Sequence, residues 1–208
     1  NSLLFGKSHL GGDEFGGSID DVRIYNRALS AADVTALYEM ERPIDLTSGL
    51  VAHYPFDGNA SDMSGNGNHG TVNGASLGTD RHGISGKAYS FDGVDDHISL
   101  NANIGNFGTS DFTMSAWLMK LDLITDGAVI GKRNDSVEPG MLVFASSPGY
   151  EISTSGGDYT VSTASRYQTT NRWFHLIFKR SGHNLQLYLD NQLIDSVVTP
   201  SVHNFSNS

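Results

Sequence analysis

The sequence predicts an all-β antiparallel sandwich of jelly-roll type carrying one short helix. Three observations predict it. Apolar and polar side chains alternate along many short segments, Gly-rich turns separate those segments, and a single stretch carries helix caps. One-sided alternation of this kind suits two sheets packed face to face.

Residues 16–39, GGSIDDVRIYNRALSAADVTALYE, read as a strand that runs straight into a helix. Ser30 is an N-cap with Asp33 at the capping-box position, and Leu29 staples onto Val34. Val34, Leu37 and Tyr38 make one apolar stripe that closes an edge of the sandwich, and Pro43 ends any continuation. Counting by twos, Asp20 shares a face with Val22 and Ile24, so its carboxylate points toward the core side.

In 50–56, Leu50, Ala52, Tyr54 and Phe56 share one face, with His53 on the other. Further strands are expected at 86–92 and 96–100, then at 112–118 with Phe112, Met114, Ala116 and Leu118 inward. Others follow at 127–132, 140–146 and 149–154. The last two run through 174–178 (Phe174, Leu176, Phe178 inward) and 185–189 (Leu185, Leu187, Leu189 inward). Turn signals stand between them: Gly65-Asn66-Gly67, Ser85-Gly86, Pro139-Gly140, Pro148-Gly149, Ser181-Gly182 and Asp190-Asn191.

At 208 residues the chain is long enough for one large β-domain, or two small ones, with a real core. A net charge of −10 argues against nucleic acid, because nothing is there to neutralise a run of phosphates. Acidic loops suit divalent cations and neutral ligands better. With no Cys there is no disulfide framework, so stability is expected from core burial and from bound metal, and a bacterial source is favoured. Apolar runs are only a few residues long, so no membrane insertion is expected.

Five stretches carry a resemblance to a known family. GLVAHYPFDGNASDMSGNGNHG (49–70), KAYSFDGVDDHISL (87–100), DFTMSAWLMK (111–120) and RWFHLIFKRSGHNLQLYLDNQLIDS (172–196) are similar to the opening and central strands of bacterial laminin-G-like, concanavalin A-like β-sandwich modules. LLFGKSHLGGDEFGGSIDDVRIYNRALSAADVTALY (3–38) is similar to the final strands and helix of such a module, yet it comes first. The resemblance implies residues 1–43 as the closing strands and capping helix, and 44–208 as the opening and central strands, together one sandwich. Circular permutation would produce that order, and so would a cut out of phase from a tandem array. Residues 1–43 would then fold back in cis, complete a neighbouring chain by head-to-tail strand exchange, or belong to an upstream domain.

The acidic loops around Asp57-Gly58-Asn59, Asp62 to Asn68, Asp92 to Asp96 and Asp20-Asp21 are rich in hard oxygen ligands. Asp62 to Gly70 is rejected as an EF-hand, since no Glu stands at its closing position. Asp, Asn and Gly also simply build turns. By the family resemblance, a structural calcium would sit between the first strand and the Ile-Asp of the final strand, held by Asp57 and Asp20, with Asn68 and Asp92 as further ligands. Trp117 and Trp173 are expected in packing roles. Tyr150, Tyr159 and Tyr167 lie in a Ser/Gly/Thr-rich stretch that would present aromatic faces to a sugar. No His spacing suits a metal, and His53 and His175, opposite core-facing residues, are expected to face solvent.

Glucanases of this fold place alternating carboxylates, Glu-x-Asp-x-Glu, on one strand. Here Glu stands at 14, 39, 41, 138 and 151, never so arranged, and Gly-x-Ser-x-Gly is absent. The expected function is therefore a non-catalytic, calcium-binding recognition or adhesion module of a secreted or cell-surface protein, binding a glycan or an extracellular protein. A spacer repeat linking domains by strand exchange is the alternative, and a polysaccharide-active enzyme the third reading.

Overall fold

The computed structural model describes residues 2–8, 14–39, 46–121, 127–132, 160–162 and 170–199, and the backbone of 141–146 and 149–154. Two antiparallel sheets face each other. In the first, β1 (Leu4–Phe5) lies between β7 (His97–Ser99) and β9 (Gly127–Lys132). β4 (Thr71–Asn73) flanks β7, and β10 (Met141–Ser146), β11 (Gly149–Thr154) and β12 (Thr160–Ser162) extend the sheet beyond β9. In the second, β2 (Gly16–Tyr25) lies between β8 (Phe112–Lys120) and β6 (Ser85–Asp92), which is flanked by β5 (Ser76–Thr79). β13 (Trp173–Ser181), β14 (Asn184–Leu189) and β15 (Gln192–Val198) continue beyond β8, and β3 (Leu50–Tyr54) pairs with the distal half of β2.

The alternating residues meet between the sheets. Phe5, Ile98, Val129, Ile130 and Val161 project from the first, against Phe112, Met114, Ala116 and Leu118 of β8 and the Phe and Leu rows of β13 and β14. β2 contributes Ile19, Val22 and Ile24, each wholly buried. Each such side chain stabilises the fold by roughly 1.5–3 kcal/mol. Gly17 is required in β2 because a Cβ there would stand 2.2 Å from the Met119 carbonyl oxygen.

β2 is not a regular strand. Its register against β8 shifts between Asp20 and Arg23, and Asp21 adopts a φ of 47°. Asp tolerates that left-handed conformation better than most residues. The extra residue is a bulge, and it resets the alternation. Ile19, Val22 and Ile24 face the core, whereas Asp20 pairs with Trp117 on the opposite face. Counting by twos from Ile24 therefore misplaces Asp20, which does not share a face with Val22. The bulge is also where β2 changes partner, from β6 along Gly16–Ile19 to β3 along Val22–Tyr25.

The helix, α1 (Ala31–Glu39), begins with a complete capping box: the Asp33 amide donates to Ser30 Oγ (3.1 Å), and the Ser30 amide to Asp33 Oδ2 (2.8 Å). Its Val34 and Leu37 pack with Leu29, Tyr25 and Ile177 in a second apolar cluster on the outer face of the β2–β8–β13 sheet. Lys179 Nζ, donating to the Leu29 carbonyl at 2.7 Å, ties the connection to that face. Among the described residues no helix is long and apolar enough to cross a membrane.

The centre and rim of the sheet should respond differently to truncation. Ile24→Ala, at a fully buried position in β2, should lower the urea-unfolding free energy by about 2–5 kcal/mol. Leu193→Ala, half-exposed on β15, should stay within about 0.5 kcal/mol of wild type. Equal losses at the two positions would contradict this account of the core.

Candidate functional site at the break in β2

Beyond the bulge, β3 and β6 diverge and leave a pocket of about 260 Å³. Asp20, Asp21 and Arg23 of β2 form its inner wall. His53 of β3, Pro55 and Asp57 just after it, Asp80, Arg81 and His82 of the β5–β6 turn, and Lys87 of β6 form the rest. The β5–β6 turn is built by Asp80, whose Oδ1 accepts the amides of His82 (2.9 Å) and Ile84 (2.7 Å). That turn aims Arg81 back at β2.

Arg81 Nη1 donates to Asp20 Oδ2 at 2.6 Å, and its Nη2 lies 3.6 Å from Asp21 Oδ2. Asp21 is held further by Arg23 Nη2 on Oδ2 (3.0 Å) and by His53 Nε2, 2.7 Å from Oδ1. The Arg81 guanidinium also lies over the Trp117 ring, 5.1 Å from its centroid. Trp117 stacks in turn on His175 at 4.9 Å and beside Tyr38 of α1 at 6.3 Å. His175 Nε2 is 3.0 Å from Ser115 Oγ, completing a polar layer beneath the helix.

Proton affinities diverge across this layer. Burial pushes the Asp20 carboxyl up to about 7, Arg81 opposing that shift and the Asp21 charge adding to it. Burial acts upward on Asp21 too, but the His53 hydrogen bond and the charges of Arg23 and Arg81 outweigh it and hold Asp21 below the usual carboxylate range. Burial takes His175 down to about 3, and its Nδ1 has no hydrogen-bond partner among the described residues to offset that. His175 is thus a buried neutral ring, and His53 is a half-buried partner of Asp21. Neither faces solvent as the alternation implies, because α1 and the β5–β6 turn cover this part of the outer face.

Of the four expected calcium ligands, two share a pocket and two lie in other loops. Asp20 and Asp57 do line one pocket, yet Arg81 sits on Asp20 and Lys87 Nζ lies 3.2 Å from Asp57. Asn68 turns its side-chain amide to the Val51 carbonyl and its backbone amide to Asp62 Oδ2. Asp62 also accepts the amides of His53 and Ser64 and the Ser64 hydroxyl, so its carboxylate is engaged by its own turn and by β3. Asp92 lies in another loop, where its Oδ1 accepts the amides of Val94 and Asp95. Among the described residues, the one set of three acids whose oxygens come within 4.8 Å is Asp92, Asp95 and Asp96, which contains neither Asp20 nor Asp57. Calcium takes six to eight oxygens, and here Asp20 and Asp57 are each paired with a cationic side chain instead. Tyr150 falls on β11, but its side chain lies outside the described residues, as do Tyr159 and Tyr167 altogether.

Arg81, His53, Arg23 and Lys87 are not expected from sequence, for nothing local in Thr79-Asp80-Arg81-His82-Gly83 points across the chain to β2. The signal that was present is the doubled Asp20-Asp21 inside an otherwise apolar-alternating strand.

A family model described as the Concanavalin A-like lectin/glucanases superfamily matches residues 1–35 and 92–208. The comparisons with curated proteins and with solved structures gave no match. The matched residues include Asp20, Asp21 and Arg23, while His53, Asp57, Arg81 and Lys87 come from the intervening stretch.

The buried histidine gives acid stability a definite slope. The unfolded chain protonates His175 near 6.5 and the folded chain near 3, so its contribution is complete above 6.5 and is lost as pH falls toward 3. Asp20 works the other way, gaining stability as pH falls from about 7 to 3.8. His175→Phe keeps a ring against Trp117 and removes the first slope. Between about pH 7 and pH 4, wild-type stability relative to this variant should fall by about 1–3 kcal/mol in urea unfolding. A constant difference would assign the acid sensitivity elsewhere.

Proposed function

Because the chain belongs to the Concanavalin A-like lectin/glucanases superfamily, we propose that it is a non-catalytic recognition module that binds a neutral glycan in the pocket at the break in β2. The module would serve a secreted or surface-displayed bacterial protein. One observation carries this reading: the pocket has a saturated inner wall and an accessible outer one. Asp20, Asp21, His53 and Arg81 hold one another in place, whereas the Asp57–Lys87 pair is about half exposed.

An exposed ion pair of that kind contributes roughly 0–1 kcal/mol, so a ligand can displace it at little cost. Sugar hydroxyls both donate and accept, and this wall offers a carboxylate acceptor beside an ammonium donor. At about 260 Å³ the pocket suits a single sugar unit more than a large ligand. A protein partner would call for a broad face with buried aromatic anchors, and this lining is polar. The chain's excess of negative charge disfavours acidic polysaccharides.

The pKa split between Asp20 and Asp21 resembles that of an acid–base pair, which would favour catalysis. Asp20, however, is almost wholly buried beneath Arg81 and cannot reach a glycosidic oxygen. That inaccessibility supports the non-catalytic reading.

An array of neutral polysaccharides probed with the whole chain should show retained binders. Asp57→Ala and Lys87→Ala should lose at least tenfold in affinity for them, while each keeps its unfolding free energy within about 0.5 kcal/mol of wild type. Binding that survives both substitutions, or no binding to any neutral glycan, would place recognition elsewhere.

A further inference from the structure

We infer that Arg81 is the built-in cation of the β2 break, standing where a divalent ion would otherwise bridge Asp20 and Asp21, so that the chain's stability does not depend on calcium. The inference rests on the geometry of the break and is independent of which ligand the pocket binds.

Two buried carboxylates at adjacent positions of a central strand need a counter-charge. One guanidinium supplies it to both, with Nη1 on Asp20 Oδ2 at 2.6 Å and Nη2 at 3.6 Å from Asp21 Oδ2. The three side chains are almost dry, at 14% exposure for Arg81, 3% for Asp20 and 9% for Asp21. Pairing in such a place is far less screened than at the surface. Arg81 is also held in place independently, by the Asp80-built turn behind it and by Trp117 beneath it. It cannot swing aside for an ion without giving up its contact with the ring.

The other carboxylates of the pocket are engaged in the same manner. Asp21 Oδ1 meets His53, Asp80 Oδ1 accepts two backbone amides, and Asp57 meets Lys87. An entering calcium would have to break several of these contacts at once to collect its oxygens. The position of Arg81 explains why Asp20 and Asp57 share a pocket and still form no cation cage.

Removal of the guanidinium inverts the situation. Arg81→Ala leaves Asp20, Asp21, Asp57 and Asp80 lining one pocket without the guanidinium that pairs with the first two. That variant should acquire an affinity for divalent cations which the wild type lacks. A Lys at this position retains a charge but, as a point charge, cannot span both carboxylates in the manner of a planar fork.

The test is thermal melting of wild type, Arg81→Ala and Arg81→Lys, each in excess EDTA and in calcium. Wild type should melt at the same temperature in both. Arg81→Ala should melt lower than wild type in EDTA and recover by roughly 5–10 °C when calcium exceeds its Kd a hundredfold. Arg81→Lys should melt below wild type and stay indifferent to calcium. Terbium emission sensitised through Trp117 gives a second readout: bright for Arg81→Ala and dark for the other two. A wild-type midpoint that falls in EDTA, or wild-type terbium emission quenched by calcium, overturns the inference even where Arg81→Ala fails to fold. A folded Arg81→Ala that ignores calcium overturns it as well.

Discussion

The neutralisation of Asp20 and Asp21 constrains the rest of this structure. An isolated ionised carboxylate buried without a partner costs far more than any single packing contact returns, and here two lie side by side on a strand between β8 and two successive partners. Their positions therefore dictate what surrounds them. Arg23 must stay on the same face, β3 must deliver His53 opposite Arg23, and the β5–β6 turn must bring Arg81 across from sixty residues later in the chain. A one-residue slip of β2 against β8 would turn these groups into the apolar core, so they specify the register of this pair.

The same charges explain why a pocket exists here. The bulge at Asp21 rotates the strand just where its outer neighbour changes from β6 to β3, so neither partner covers the gap. Apart from Pro55 the side chains around the gap are polar, and its two halves differ in strength. The inner half is dry and cross-linked and acts as a rigid template. The outer pair, Asp57 and Lys87, is wet and weak. In the proposed binding role, the rigid inner half would position a ligand without reordering its own groups.

Much of the architecture was legible in the sequence, and the reasons are local. The rows through Phe112, Phe174 and Leu185 are readable because every second side chain packs against the opposite sheet, although α1 also buries His175 and Ile177 on the outer face of β13. Ser30 and Asp33 announce the helix through contacts three residues apart. The edge strands β4, β5 and β15 escape such reading, since Thr71–Asn73, Ser76–Thr79 and Gln192–Val198 are largely exposed and carry no alternation to find. Of the candidate site, Asp20 and Asp57 were legible as acidic positions brought to one place, but their partners were not. A bulge shifts the count by one, and Arg81 lies sixty-one residues from Asp20, a pairing that no local pattern records.

Trp117 shows how far the outer face departs from an ordinary solvent-exposed sheet surface. Alternation puts its ring opposite Ala116 and Leu118, on the outer face of the sheet. Its neighbours are instead Arg81, His175 and Tyr38, so the ring is committed to joining the charged break to the helix. The apolar cluster of Val34, Leu37, Tyr25 and Ile177 anchors α1 from one side, and this aromatic layer anchors it from the other. Loosening the helix would wet His175 and Trp117, raise the effective dielectric around Arg81, and weaken its hold on Asp20. The helix therefore does more than cover an edge: by keeping the layer beneath it dry, it maintains the electrostatic strength on which the break in β2 relies.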